Sequence, residues 1–113
     1  MNLKHLNTLL DTIKNNQSNP FLVTSYLNEK GNDVDDQNED GQTLLLAAVQ
    51  AGNFALIHLL ISNDYGYNAD PDIANEYGFT PLMLATGQKI EITRFLLDSG
   101  ADVALADLTG RTA

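Results

Sequence analysis

The chain has 113 residues, 43% of them hydrophobic, and its six basic and fifteen acidic side chains leave a net charge of −9. This length and apolar content favour a single folded domain with a modest core and argue against global disorder. The charge disfavours nucleic acid and anionic lipid as partners, and the absence of cysteine excludes disulfides and thiolate chemistry.

Two helices separated by a polar turn are predicted at the N-terminus. The turn covers residues 15–20 and the second helix runs from about 21 to 29. Asp11 interrupts the apolar pattern, so the segment is neither a secretory signal nor a membrane span. We therefore expect a cytoplasmic protein, with translocation as an effector as the alternative. The first helix is marked by apolar residues at helical spacing: Leu3, Leu6, Leu9, Leu10 and Ile13.

Residues 36–41, DQNEDG, resemble the first half of a calcium loop. A calcium loop needs a bidentate carboxylate at its twelfth position, and that position holds Ala47. The motif also returns without its oxygen ligands, as NEYG at residues 75–78 and DLTG at residues 107–110. We therefore predict a turn at a repeated position and no metal site.

One segment that occurs three times indicates an internal repeat. NEDGQT at residues 38–43 is followed by NEYGFT at 75–80 and DLTGRT at 107–112. The intervals average close to the 33-residue period of one solenoid class. TPLMLA at residues 80–85 resembles the T-P-L-H-x-A signature of ankyrin repeats, and FLLDSGADV at 95–103 resembles the family's L-L-L-x-x-G-A-D-V. The resemblance covers nearly everything from Phe21 onward.

The resemblance implies an all-α solenoid of stacked helix-turn-helix units with extended finger loops. We expect one domain over residues 1–113. Residues 1–37 form a degenerate N-terminal cap, 38–74 a repeat with a loop insertion, 75–106 a second repeat, and 107–113 the start of an incomplete one. Leu46 and Met83 stand where the family usually has histidine.

Local signals support this division into units. Thr43 and Thr80 stand where helix N-caps are needed, and Pro81 occupies a first helical position. Glycines at 41, 78 and 110 suit turns that a Cβ would resist. Residues 62–67 are about four residues longer than the repeat pattern, and they are expected to bulge from the rim opposite the inner helices.

No catalytic or cofactor motif is recognisable. The two histidines, His5 and His58, lie beside no serine, cysteine or carboxylate pattern associated with catalysis, and His58 is expected to be a solvated side chain of an outer helix. Phosphate-binding glycine loops and paired metal-ligand spacings are absent. We expect a non-catalytic protein that needs no cofactor.

Ankyrin-like stacks bind partners on their concave side, through finger tips and inner helices. Tyr77 and Phe79 flank a turn glycine there and are candidate anchors, although Phe79 also suits local packing. The acidic set Asp33, Asp35, Asp36, Glu39 and Asp40 suits either turn capping or steering of a basic partner. The variable family positions carried onto this chain give the candidate protein-binding residues: Gln37, Glu39, Asp40, Gln42, Gln50, Glu76, Tyr77, Phe79, Gln88, Leu108, Thr109 and Arg111.

Two hypotheses of function remain. The first is a non-catalytic protein-interaction module that binds a protein on the concave face. The second is a small acidic inhibitor, such as an immunity protein that neutralises a basic toxin or enzyme. Tyr65 and Tyr67 in the long loop form a lower-ranked second surface. The C-terminal apolar face, which comprises Leu82, Leu84, Ile92 and Leu96, is expected to be partly open and to permit end-to-end self-association.

Overall fold

The computed structural model describes residues 2–16, 20–62, 64–85 and 90–102. These ranges contain no β-strand, so the all-α expectation is confirmed. None of their helices is both long and apolar enough to cross a membrane. The helices are α1 (Leu3–Lys14), α2 (Pro20–Asn28), α3 (Leu44–Ala51), α4 (Phe54–Ile61), α5 (Pro81–Ala85) and α6 (Ile90–Asp98).

The helices form two layers. The inner helices stack in sequence, α1 on α3 and α3 on α5, and each also packs on the outer helix that follows it. Because α3 packs against α1, α4 and α5, residues 44–49 are buried without interruption. A fully buried leucine contributes about 1.5–3 kcal/mol relative to an exposed one. The middle unit therefore holds most of the core.

The starts of the helices follow the sequence. The Thr43 hydroxyl accepts a hydrogen bond from the Leu46 amide at 3.1 Å, and the Thr80 hydroxyl accepts one from the Met83 amide at 3.3 Å. Pro81 is the first residue of α5, where its missing N–H costs nothing. Both predicted caps are confirmed.

Each finger is a turn held by an asparagine. In the first finger (residues 38–42) the Asn38 side chain accepts from the amides of residues 40 and 42. In the second finger (residues 75–79) Asn75 accepts from the amides of residues 77 and 79. Gly41 and Gly78 close these turns at φ +77° and +83°. The predicted turns are confirmed there, while Gly110 lies outside the described residues.

The two fingers are joined through their backbones. The Glu76 amide donates to the Asp40 carbonyl at 3.0 Å. The Gln37 side chain donates to the carbonyls of Gly41, at 2.8 Å, and Ala74, at 3.0 Å. A Cβ on Gly41 would lie 2.7 Å from the Glu76 nitrogen. Glycine at position 41 therefore permits the close approach of the fingers.

Aspartates at the base of the fingers link successive units. The Asp35 carboxylate accepts from the Asp70 amide at 3.0 Å, and the Asp72 carboxylate accepts from the Asp102 amide at 2.8 Å. Burial raises the pKa of Asp35 above its ordinary value, and neighbouring carboxylates add to this, against the opposing effect of the Asp70 amide. Part of the acidic set is therefore structural.

Asp36, the first residue of the calcium-like motif, is likewise engaged within the fold. Its carboxylate accepts from the Tyr26 hydroxyl at 2.7 Å and from the Asp33 amide at 2.8 Å. Burial and this hydrogen bond raise the pKa of Tyr26. Within the described residues no group of three or more histidines and carboxylates could hold a metal ion.

The N-terminal unit is closed by a polar network around Glu29. Its carboxylate accepts from the Asn2 side chain at 2.7 Å and lies 2.8 Å from Nδ1 of His5. The hydrogen bond from Asn2, followed by that with His5, lowers the pKa of Glu29. The His5 ring also meets the Tyr26 ring edge-on, with centroids 5.1 Å apart.

The expectation that His58 is solvated is wrong. Its ring is half-buried, with centroids 5.5 Å from Phe95 and 6.0 Å from Tyr65, and Phe54 lies 5.4 Å from Phe95. The inserted loop brings Tyr65 over α4, and α6 brings Phe95 beside it. Tyr67 is half-buried against the core. The loop is thus anchored on the outer helices.

The C-terminal apolar face is more covered than expected. Ile92 and Leu96 are fully buried, whereas Leu82 and Leu84 are half-buried. The boundaries of the four units at residues 37, 74 and 106 stay a prediction.

Candidate protein-interaction site

A groove of about 280 Å³ lies between α1, α3 and the two fingers. It opens on the side of the inner helices, where the fingers project. Its walls are polar except for one leucine and one tyrosine ring. The lining residues are Asn7, Leu10, Asp11, Lys14, Asn38, Asp40, Gln42, Gln50, Asn75 and Tyr77.

One wall of the groove is a polar stripe of α1. Asn7, Asp11 and Lys14 recur at i, i+4 and i+7, so they share a helix face. Asn7 fixes this wall to the first finger. It accepts from the Asn38 side chain at 2.9 Å and donates to the Glu39 carboxylate at 3.0 Å.

The floor is formed by α3 and the stem of the first finger. The Gln42 side chain, which is half-buried, donates to the Gln50 side-chain oxygen at 2.6 Å. This bond ties the finger to the inner helix behind it. The fingers and helices thus form one preformed surface.

The second finger presents an aromatic edge. The Tyr77 side chain is 73% exposed, whereas Phe79 is half-buried, and their ring centroids are 6.4 Å apart. The adjacent Glu76 carboxylate, first as a hydrogen-bond acceptor and then as a charge, raises the pKa of Tyr77, and the charge of Asp40 adds a smaller effect. The exposed ring therefore stands in a negative electrostatic environment.

The acidic groups of the groove are not neutralised by neighbours. Throughout the described ranges, no basic side chain lies within 4.0 Å of the carboxylates of Asp11 or Asp40. Lys14 is the basic residue of the lining. Because Glu39 and Glu76 are exposed on the same fingers, the groove and its edge carry net negative charge.

The structure brings most of the predicted binding residues to this surface. Asp40, Gln42, Gln50 and Tyr77 line the groove. Four further residues, Gln37, Glu39, Glu76 and Phe79, belong to or adjoin the same fingers, and Gln37 is used to hold them together. The remaining predicted residues lie outside the described residues: Gln88, Leu108, Thr109 and Arg111.

Sequence reasoning missed the α1 wall. The N-terminal segment carries no repeat motif, so the sequence predicts a degenerate cap there and no binding residue. The signal was present in the spacing of Asn7, Asp11 and Lys14, which share a helix face that borders the apolar stripe of α1.

Stacked helix pairs with paired fingers and a concave groove define a helical repeat scaffold, a class that presents extended binding surfaces. The family model "Ankyrin repeats (3 copies)" matches residues 9–107. The chain therefore belongs to the ankyrin-repeat family, whose members act as protein-interaction modules.

Similar proteins come from distant organisms. The chain is 41% identical over 95 residues to ankyrin repeat and SAM domain-containing protein 6 of Mus musculus, covering 81% of this chain and 10% of that protein. It is 33% identical over 93 residues to a putative ankyrin repeat-containing protein of Treponema pallidum, covering 80% of this chain and 30% of that protein. The chain thus spans a tenth to a third of the relatives' lengths.

A solved structure supports the fold. The chain superimposes with a TM-score of 0.68 on a chain from the complex of the Bd0816 predatory endopeptidase of Bdellovibrio bacteriovorus with immunity protein Bd3460. The sequence identity is 24%, and the match covers 84% of this chain and 47% of that one.

Proposed function

We propose that the chain binds a partner protein, without catalysis, in the groove between α1 and the fingers. The observation that carries the proposal is the exposed Tyr77 ring at the edge of a preformed groove. Tyrosine is frequent among the residues that dominate binding energy at protein interfaces.

The expected energy of this anchor follows from its exposed area. An aromatic side chain that becomes fully buried removes about 150–250 Å² from water. Because Tyr77 is already partly covered, we take about 100 Å² of apolar area as newly buried, which is worth about 2.5 kcal/mol. Its loss should weaken binding by more than tenfold.

A site-specific cross-linker tests the location. A photoreactive phenylalanine analogue replaces Tyr77 in one protein and Tyr65 in a matched control, and both are illuminated in extract of the source cells. Tyr65 is also an exposed tyrosine, at 53%, but it lies on the outer helices. A protein partner captured at position 77 and not at position 65 supports the groove.

The captured partner then allows an affinity measurement. Tyr77→Ala combined with Phe79→Ala should raise the dissociation constant more than tenfold in calorimetry, while Tyr65→Ala leaves it unchanged. Circular dichroism should show an unchanged melting temperature for the double variant. Unchanged affinity would remove these rings from the binding site.

A second candidate function is stoichiometric inhibition of a basic enzyme or toxin. Two observations favour it: the net charge of −9, and the fold similarity to a chain of an endopeptidase–immunity protein complex. The dependence of the association rate on salt concentration distinguishes the two candidate functions. An inhibitor steered by charge loses association rate steeply as salt rises, whereas a module anchored by aromatic rings loses little.

Self-association through the C-terminal face is a third and weaker proposal. Leu82 and Leu84 are the half-buried residues of that face. Light scattering over a range of concentrations tests it. A constant monomer mass at the highest concentration would refute it.

A further inference from the structure

We infer that the groove seats one arginine side chain of the partner, with its guanidinium against the Tyr77 ring and facing the carboxylates of Asp40 and Glu76. This inference rests on the proposed function, because it names the chemistry of the partner that occupies the groove. The occupant is a protein segment with a single arginine between uncharged residues.

The Tyr77 ring forms the first part of the proposed arginine-binding site. Tyr77 is 73% exposed at the groove edge, and the ring of Phe79 lies behind it at a centroid distance of 6.4 Å. A planar guanidinium stacks on such a ring through cation–π attraction and dispersion. Aliphatic side chains would gain the contact area without the electrostatic attraction.

The carboxylates of Asp40 and Glu76 form the second part of the proposed arginine-binding site. Asp40 and Tyr77 both line the groove, and Glu76 directly precedes Tyr77 in the second finger. Since Asp40 has no basic side chain within 4.0 Å in the described ranges, a cation brought by the partner meets an unneutralised carboxylate.

The opposite wall limits how much positive charge fits. Lys14 of α1 lines the same groove and would repel a continuous basic tract. A partner segment can place one arginine beside the acidic second finger and uncharged residues opposite α1. Such a segment gains the attraction of the carboxylates and avoids repulsion by Lys14. Arginine is favoured over lysine because its planar fork can stack and bond to a carboxylate together, whereas an ammonium is a hydrated point charge.

The seat is already assembled before binding. The Glu76 amide is bonded to the Asp40 carbonyl at 3.0 Å, so the two residues that carry the carboxylates are held side by side. The Asn75 side chain fixes the amides of Tyr77 and Phe79 at 2.9 and 3.1 Å. A preformed site loses less entropy when its ligand binds.

Phage-displayed random peptides test the inference. Short peptides are selected on the immobilised full chain, in parallel with selection on Tyr77→Ala. We expect the wild-type chain alone to enrich peptides with one arginine between uncharged residues. One enriched peptide is then synthesised with arginine, lysine or citrulline, the neutral isostere, at that position, and its affinity is measured by fluorescence anisotropy.

The variants give distinct expectations. Citrulline and Tyr77→Ala should each weaken binding about tenfold or more, the loss expected for a desolvated cation–π contact. Asp40→Asn should weaken binding of the arginine peptide but not of the citrulline peptide. Tyr77→Phe keeps the ring and should stay within about threefold of wild type. Tyr65→Ala, the matched control, should change nothing.

The possible failures separate the two proposals. Groove-dependent peptides that lack arginine, that bind equally with citrulline, or that require a lysine tract would overturn the arginine seat and leave the proposed function standing. Peptides whose affinity is the same for Tyr77→Ala and wild type would overturn both. A selection that yields no binder overturns the arginine seat.

Discussion

Replacing Gly41 by alanine is expected to destabilise the chain more than the same change at Gly78. Both glycines close a finger turn with positive φ, +77° and +83°. A residue with a Cβ pays about 1–2 kcal/mol in this left-handed region. The surroundings of the two positions differ. At Gly41 the new Cβ would lie 2.7 Å from the Glu76 nitrogen and 3.0 Å from the Asn75 carbonyl carbon, while at Gly78 nothing lies within 4 Å.

The extra cost at Gly41 follows from the contact it breaks. The neighbouring finger must move away, so the 3.0 Å hydrogen bond from the Glu76 amide to the Asp40 carbonyl is lost. A hydrogen bond of this kind contributes about 0.5–1.5 kcal/mol. The total for Gly41→Ala is therefore about 1.5–3.5 kcal/mol, against about 1–2 kcal/mol for Gly78→Ala. The entropic effect of alanine on the unfolded chain is common to both variants and cancels.

Thermal and urea unfolding followed by far-ultraviolet circular dichroism measures this difference. The expected gap of about 1 kcal/mol corresponds to roughly 4 °C in melting temperature for a chain of this size. Gly41→Ala should also weaken partner binding, because the second finger carries Tyr77. Equal destabilisation by the two substitutions would refute the close approach of the fingers.

Three further predictions concern the ionisable groups. Asp35→Asn keeps an acceptor for the Asp70 amide and should be tolerated, whereas Asp35→Ala should cost about 0.5–1.5 kcal/mol in urea unfolding. Because the folded-state pKa of Asp35 is raised, the stability it contributes is present below about pH 4 and is lost as pH rises through that pKa. The free energy of unfolding of Asp35→Asn should therefore increase relative to that of the wild type as pH rises. A difference between the two that does not change with pH would contradict this. For Glu29 the pKa is lowered, so its stabilisation is present above about pH 4.5 and is lost as pH falls through the lowered pKa. The melting temperatures of Glu29→Gln and the wild type should then converge as pH falls. A difference in melting temperature that is the same at every pH would contradict this role of Glu29. Tyr26→Phe removes the 2.7 Å hydrogen bond to Asp36 and should cost about 1.5–3 kcal/mol in urea unfolding, and a neutral change would contradict the bond.

The parts of the fold that sequence predicted are those set by local chemistry. Thr43 and Thr80 cap helices because a hydroxyl before an apolar run satisfies an otherwise unpaired amide. Gly41 and Gly78 occur where the turn requires positive φ. These requirements recur in the two units that follow the N-terminal cap, so the repeat could be read from its copies.

The parts of the fold that the sequence did not predict depend on tertiary contacts between residues far apart in the chain. Asp35 would have suited solvent equally well, and only the position of the Asp70 amide makes it a link between units. His58 is enclosed because an inserted loop and the following repeat both reach it. The spacing of Asn7 and Asp11 indicated a shared face without indicating what that face borders.

Because the two fingers are linked through backbone groups, their spacing does not depend on the side chains that would contact a partner. Since the Glu76 amide and the Asp40 carbonyl set the distance between the fingers, their side chains take no part in that bond. Residues 40, 76 and 77 can therefore be exchanged while the scaffold geometry is retained. A library randomised at these positions, with glycine kept at 41, would offer a route to new binding proteins built on this chain.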